Sequence, residues 1–386
     1  MIKNLTGRNR ILKVLEGGIP DRLPFAPMIL EYFINTLPFD MKSLDPVDVC
    51  RKLGVDIIER WVTSFYGFYF SVFWENCFDI NLLRKELIKL NIKYEIIRKD
   101  GYIFESFETP FGTLTQVLYK NKIAGSTLGF HKEMLIKSIT DLRAYQYLWE
   151  AKFPYPIYAK TKERLKYVGE DGVVMVTVPC TPILHLISYD LGIEKFSYFF
   201  KDYPNKMEKL MNIMSEKFIE ACKIAVSSPA RIGIIPENSG TLLVSPMQFE
   251  KYCEPILSEY GRIYLEHNKF LLLHACGHLR LLLEKIAKIN GLSGVESLTT
   301  PPTGDVQLCY ARTVLKNKTI IGGLDPVTFL RSTPLEIEKI VKEIIEQVKP
   351  GAHFILMPSD STPPGVPIEN FEAVKNTIYK YGQWIK

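Results

Sequence analysis

The stretch Phe270-Leu271-Leu272-Leu273-His274-Ala275-Cys276-Gly277-His278 carries the reading of the whole chain. An apolar run stops abruptly at three potential metal ligands. A short, bounded run of this kind reads as a strand buried on both faces of a parallel sheet. Leu279 to Ile289 then recurs at helical spacing, so the ligands fall on a strand-to-helix loop. In barrel enzymes such loops lie on the catalytic face. His274 and Cys276 stand two apart, so on an extended chain their side chains point the same way. An imidazole and a thiolate make half of a tetrahedral zinc site. His278 reads as a further ligand or as a cap for the helix after it. The plain structural alternative is a His and a Cys buried at a strand end, because H-x-C triplets arise often by chance.

The rest of the chain supports an α/β reading. With 386 residues it is long enough for one large (β/α)8 barrel with insertions, and the expectation is a single barrel domain over residues 1–386. A hydrophobic share of 47% with 24% charged residues is that of a globular protein in water. The formal charge of +5 is mild and no dense Lys/Arg block appears, which argues against nucleic-acid binding. Seven scattered cysteines without a C-x-x-C point to reduced thiols and a cytoplasmic protein. Residues 1–8 lack the apolar core of a signal peptide, and no 18-residue apolar run suggests a membrane span.

Outward from this stretch, apolar strands alternate with amphipathic helices. Strands are predicted at Phe25–Ile29, Gly54–Arg60, Val173–Val178, Arg231–Ile235, Ser293–Val295, Thr319–Leu324 and His353–Met357. Helices are predicted over Thr6–Leu15, Pro46–Leu53, Asp141–Trp149, Tyr158–Lys166, Asn205–Val226, Pro246–Asn268 with a break near Pro255, Pro334–Val348 and Ile368–Trp384. Repeated strand–helix units of this size argue for parallel strands and a (β/α)8 TIM barrel with an N-terminal helical segment. A doubly wound sheet is the alternative, but there is no G-x-G-x-x-G after a first strand.

Residues from about 65 to 130 break the rhythm. Tyr94–Arg98 and Tyr102–Phe107 flank Lys99-Asp100-Gly101, a hairpin signal, and Thr113–Tyr119 is another strand. This block reads as an antiparallel insertion. Its aromatic run Tyr66 to Trp74 reads as a lid, a substrate wall or simply core.

From Val173 onward the barrel strands run out into polar groups: Cys180, Glu237 with Asn238, His274 with Cys276, Glu296, Asp325 and Asp360. In a barrel these ends face one mouth. Charged groups after apolar strands are costly unless paired or used. Asp325, with Pro326 next to it, reads as a helix cap. Glu237, His274, Cys276 and Asp360 read together as a site of convergent titratable groups.

In order along the chain, several blocks resemble the uroporphyrinogen decarboxylase superfamily, and more closely its corrinoid-linked methyltransferase branch. They are Arg8 to Pro24; Leu242-Leu243-Val244-Ser245-Pro246 with Phe249-Glu250 and Tyr252; His274-Ala275-Cys276-Gly277; Pro301-Pro302-Thr303-Gly304-Asp305; Gly322-Gly323-Leu324-Asp325-Pro326; and Pro363-Pro364-Gly365-Val366-Pro367 with Asn370. Two departures matter. The porphyrin decarboxylases begin with an Arg-rich substrate-binding stretch, whereas Pro24 to Phe33 carries no Arg, which argues against porphyrinogen decarboxylation. The thiol-methylating members take a third zinc ligand from a Cys where this chain has Asp360.

The resemblance implies a zinc-dependent methyltransferase that moves a methyl group between a small donor or acceptor and a corrinoid held by a separate corrinoid-binding protein. It implies His274 and Cys276 as metal ligands, with Glu237 or Asp360 completing the set or moving a proton. A harder, oxygen-containing ligand set suits a methyl ether, amine or alcohol donor more than activation of a thiol, so the reading leans to substrate demethylation. Two other readings stay open: a metal-free decarboxylase or lyase with Glu237 and Asp360 as acid and base, and a non-catalytic corrinoid- or ligand-binding protein.

Overall fold

A computed structural model describes residues 5–66, 85, 87–120, 129–152 and 154–384. The aromatic run Tyr66 to Trp74 lies outside these residues except for the Tyr66 backbone. In chain order the strands are β1 (Ile57–Val62), β2 (Phe65–Tyr66), β3 (Lys93–Lys99), β4 (Tyr102–Thr109), β5 (Gly112–Lys120), β6 (Gly129–Glu133), β7 (Tyr155–Pro156), β8 (Gly172–Thr177), β9 (Ile232–Pro236), β10 (Phe270–His274), β11 (Gly294–Leu298), β12 (Thr319–Leu324) and β13 (Phe354–Pro358). The chain divides into two compact units. One is Met1–Val62, Ala159–Val178 and Ser228–Lys386; the other is Thr63–Tyr158 and Pro179–Ser227.

The first unit is the barrel. Seven strands run parallel in the order β1-β8-β9-β10-β11-β12-β13. The segment at residues 24–28 supplies the eighth position. On one side Ala26 N–H donates to Leu356 O and Leu356 N–H to Pro24 O, each at 2.9 Å; on the other, Asp56 N–H donates to Phe25 O at 2.8 Å. The expected strand Phe25–Ile29 therefore exists only as isolated bridges, because Pro24 and Pro27 withhold the N–H groups that a regular ladder needs. The fold is a (β/α)8 barrel.

Its strands are buried on both faces, as continuous apolar runs require. Inward residues such as Met175, Ile234, Leu272, Ile321 and Met357 form one core with Ile11, Val14 and Leu15 of the helix Gly7–Leu15. Thr6 caps that helix by accepting from Asn9 N–H, as its position predicts. The helix is tied down by a buried ion pair. Arg10 donates from Nε and Nη2 to the two oxygens of Asp21 and from Nη1 to Asp56, each at 2.7 Å. Burial alone would raise the Asp21 pKa, yet the bidentate guanidinium holds it below its ordinary value.

Most helices run close to their expected bounds, including Pro46–Leu53 and Pro334–Val348. Three segments differ. The break in Pro246–Asn268 is a π-turn over Phe249–Cys253, ahead of Pro255. The helix after the ligand loop is only Leu283–Lys288, with turns before it. Strand β11 extends through Glu296 and Ser297 to Leu298, so those residues lie within a strand and not after it.

The second unit carries the antiparallel insertion, a four-stranded sheet β3-β4-β5-β6. The hairpin turns on Asp100 and Gly101, both at positive φ, as a two-residue loop demands. Buried in the same unit is a polar cluster. Asp190 accepts from Tyr145 Oη and, at 2.9 Å, from His185 Nε2. The Lys152 ammonium lies over the Trp149 ring. Among the described residues no helix is long and apolar enough to cross a membrane.

Candidate active site at the strand ends

His274 is the last residue of β10, in register with Pro236 of β9 on one side and Glu296 of β11 on the other. That register places Glu237 and Glu296 beside it, and both are fully buried. Glu237 N–H donates to His274 O at 2.9 Å, and Ala275 N–H to Glu296 O at 3.0 Å, so backbone bonds lock the three strand ends together. Glu296 meets the ring: His274 Nδ1 donates to Glu296 Oε2. Ser297 Oγ donates to the same oxygen at 3.2 Å.

The other oxygen of Glu296 accepts from Arg60 Nε. Arg60 lies on β1, four strands away, so its side chain crosses the barrel interior. It also donates to Ile58 O at 2.9 Å, Ala26 O at 3.3 Å and Met357 Sδ at 3.1 Å, and its side chain is 3% exposed. Sequence reasoning counted Arg60 as an ordinary strand residue. Two neighbours were also missed. Trp61 stands edge-on to His274, ring centroids 5.1 Å apart. The Tyr32 phenol bonds Ser361 and faces Asp360; burial first, then that charge, raises its pKa. The legible signal was Glu59-Arg60-Trp61, a charged pair inside an otherwise apolar strand.

Cys276 is part-exposed. Its Sγ donates to Asn238 Oδ1 at 3.4 Å, and it also lies within bonding reach of the His274 ring. Asp360, at the end of β13, adds its negative charge to the His274 environment. Burial opposes a charge on His274, but Glu296 and Cys276 outweigh it and hold the imidazole up to about 10. Glu296 shows the converse. Burial would raise it, yet Arg60 and His274 pull it down to about 2.

The remaining strand-end residues divide cleanly. Asp325 is a cap, accepting from Thr328 N–H at 2.8 Å. Asp305, not His278, accepts from Leu279 and Arg280 N–H. Asn370 donates to Phe329 O and Ser332 O, closing off the helix Pro326–Arg331. Cys180 is buried in the second unit. Of the four residues expected to hold metal, His274, Cys276 and Asp360 share one electrostatic neighbourhood, and Glu237 holds the adjacent strand end by its backbone. Among the described residues no three His, Cys, Asp or Glu side chains meet as a ligand set.

The pair itself fits zinc. A ligating histidine commonly gives its other ring N–H to a carboxylate, which fixes the tautomer and leaves one nitrogen for the metal. His274 has that arrangement through Glu296, with a thiol beside it.

No curated protein sequence matches the chain. A methyltransferase from Methanosarcina mazei superposes with a TM-score of 0.61 over 98% of this chain and 99% of its own, at 17% identity, a likeness of fold. A structure of IOLI protein with a binding zinc atom covers 58% of this chain and 86% of its own at 10% identity, with a TM-score of 0.25. The family model for uroporphyrinogen decarboxylase (URO-D) matches residues 134–381, more than half of the sequence. This chain belongs to the uroporphyrinogen decarboxylase family of enzymes.

Proposed function

We propose that the protein is a zinc-dependent methyltransferase that passes a methyl group from a small methyl ether, amine or alcohol to the corrinoid of a partner protein. One observation carries the reading. At the barrel mouth, His274 has Nδ1 bound to Glu296 and Cys276 within reach of the same ring. His274 and Cys276 would hold the metal, with Asp360 or Glu237 as an oxygen donor. When bound, zinc supplies Lewis-acid activation of the donor's heteroatom.

The chain's own residues do the rest. Glu296 accepts a hydrogen bond from Nδ1–H, which fixes the tautomer and keeps Nε2 for ligation. Asn238 accepts from the Cys276 thiol and orients it. Asp360, whose charge acts on the His274 ring, would complete the ligand set or move a proton to the departing alkoxide or amine, and Trp61 stands edge-on to that ring. The corrinoid would come from a separate corrinoid-binding protein, as the resemblance to the methyltransferase branch implies.

Among the described residues no three His, Cys, Asp or Glu side chains meet, which favours one second reading, a metal-free decarboxylase or lyase with Glu237 and Asp360 as acid and base. Elemental mass spectrometry of the purified protein separates the two. The methyltransferase reading expects stoichiometric zinc that is lost in His274→Ala/Cys276→Ala. Absence of zinc even after reconstitution would hand the site to acid–base chemistry.

A further inference from the structure

Strand β1 breaks its alternation at one point. Glu59 faces outward, where its carboxylate accepts from Arg164 on the helix Ala159–Val168. Arg60 faces inward, as the alternation requires. The ladder to β8 then slips between Glu59 and Val62, and Trp61 takes φ +64, so the next side chain is also turned toward His274. A matching slip lies in β11 between Glu296 and Leu298, where Ser297 takes φ +67. Positive φ at a tryptophan is sterically costly, and bulges recur where a strand must re-aim a side chain beside a site.

We infer that the paired bulges are a positioning device for the reaction centre, in which Arg60, acting through Glu296, sets the orientation of the His274 ring and Trp61 braces its edge. The geometry is over-determined. Arg60 is held by acceptors on the 24–28 segment, β1 and β13 before it meets Glu296. Its planar fork can satisfy all of them at once, which a lysine ammonium cannot. Glu296 in turn is gripped at both oxygens, so it cannot rotate away from His274 Nδ1. This role depends on His274 being at the reaction centre, not on whether a metal or a proton is handled there.

The test uses full-length protein labelled with [15N]histidine, without metal. The chain has six histidines, and His274→Gln identifies the resonance. Wild type is expected to show one hydrogen-bonded, slowly exchanging Nδ1 proton at His274. Arg60→Gln should abolish that signal, and Arg60→Lys should restore it in part. Zinc titration of the same variants against a chelator is the second readout, with a 10- to 100-fold loss of affinity expected for Arg60→Gln, as for other carboxylate-oriented ligands. Should Arg60→Gln fail to fold, Arg60→Lys and Trp61→Leu serve in its place. Wild-type ring signals in the folded variants would overturn the inference. A wild type that binds no zinc but loses the signal on substitution would sink the zinc reading and leave the positioning role standing.

Discussion

Two buried clusters in this chain use the same parts and end in opposite states. At the barrel mouth, Glu296 accepts from His274 and from Arg60. In the second unit, Asp190 accepts from His185 and Tyr145, with Lys152 in its field. Both carboxylates sit below their ordinary pKa despite burial. The histidines diverge. His274 is held up to about 10, whereas burial wins over Asp190 and lowers His185. The difference lies in what else surrounds each ring. His274 faces Glu296, Cys276 and Asp360 together. His185 faces one carboxylate whose charge is shared with a phenol, while Lys152 pulls its pKa down. Carboxylates gathered around one imidazole favour its charged form, while a balanced set leaves burial to keep the ring neutral.

Substitution can break this contrast, and the largest effect is expected at Glu296. Glu296→Ala leaves the Arg60 guanidinium buried without its counter-charge, which should cost about 3–5 kcal/mol in chemical denaturation. A loss no greater than that of a surface substitution would show that Arg60 relaxes to water.

The pH dependence should separate the clusters next. A raised histidine stabilises the fold fully below its unfolded value of 6.5 and loses that contribution as pH climbs toward 10. The metal-free protein should therefore lose on the order of a few kcal/mol across pH 6.5–10, and His274→Gln should flatten that limb. His185 has the opposite sign. Its lowered pKa means that stability falls as pH drops through 6.5, so His185→Gln should flatten the acid limb and leave the alkaline one unchanged. Identical limbs in both variants would erase the distinction between the two clusters.

A smaller loss is expected in the second cluster. Asp190→Asn keeps an acceptor for one donor and should cost about 1–3 kcal/mol, with zinc content unchanged. The smallest effect belongs to an exposed network. Arg262 pairs with Glu259 and Glu266 on one helix face, where water screens the charges, and Arg262→Ala should leave the denaturation midpoint where it was.

The blocks that carried the family resemblance turn out to be mostly joints. Asp21 ties Arg10, Asp305 and Asp325 cap turns and helices, and Asn370 closes a helix end. They define how the barrel is assembled and say little about its chemistry. Of those blocks, only His274-Ala275-Cys276-Gly277 lies at the centre of the candidate site.

By itself the sequence determined what neighbours within a few residues decide. The helix Pro46–Leu53 comes from Asp45, Pro46 and Gly54; the β3–β4 hairpin comes from Asp100-Gly101; the strand Thr319–Leu324 comes from its apolar run. His274 and Cys276 were legible because both lie at one strand end. The tertiary structure alone decided that Glu296 would hold the imidazole. It also decided that Arg60 would cross the barrel to Glu296, 236 residues away, and that Pro24 to Met28 would fill the eighth strand position without a regular ladder. Those outcomes depend on strand register and on two bulges. Register is a property of pairs of strands, set by how the whole core packs, so no local pattern in either strand contains it.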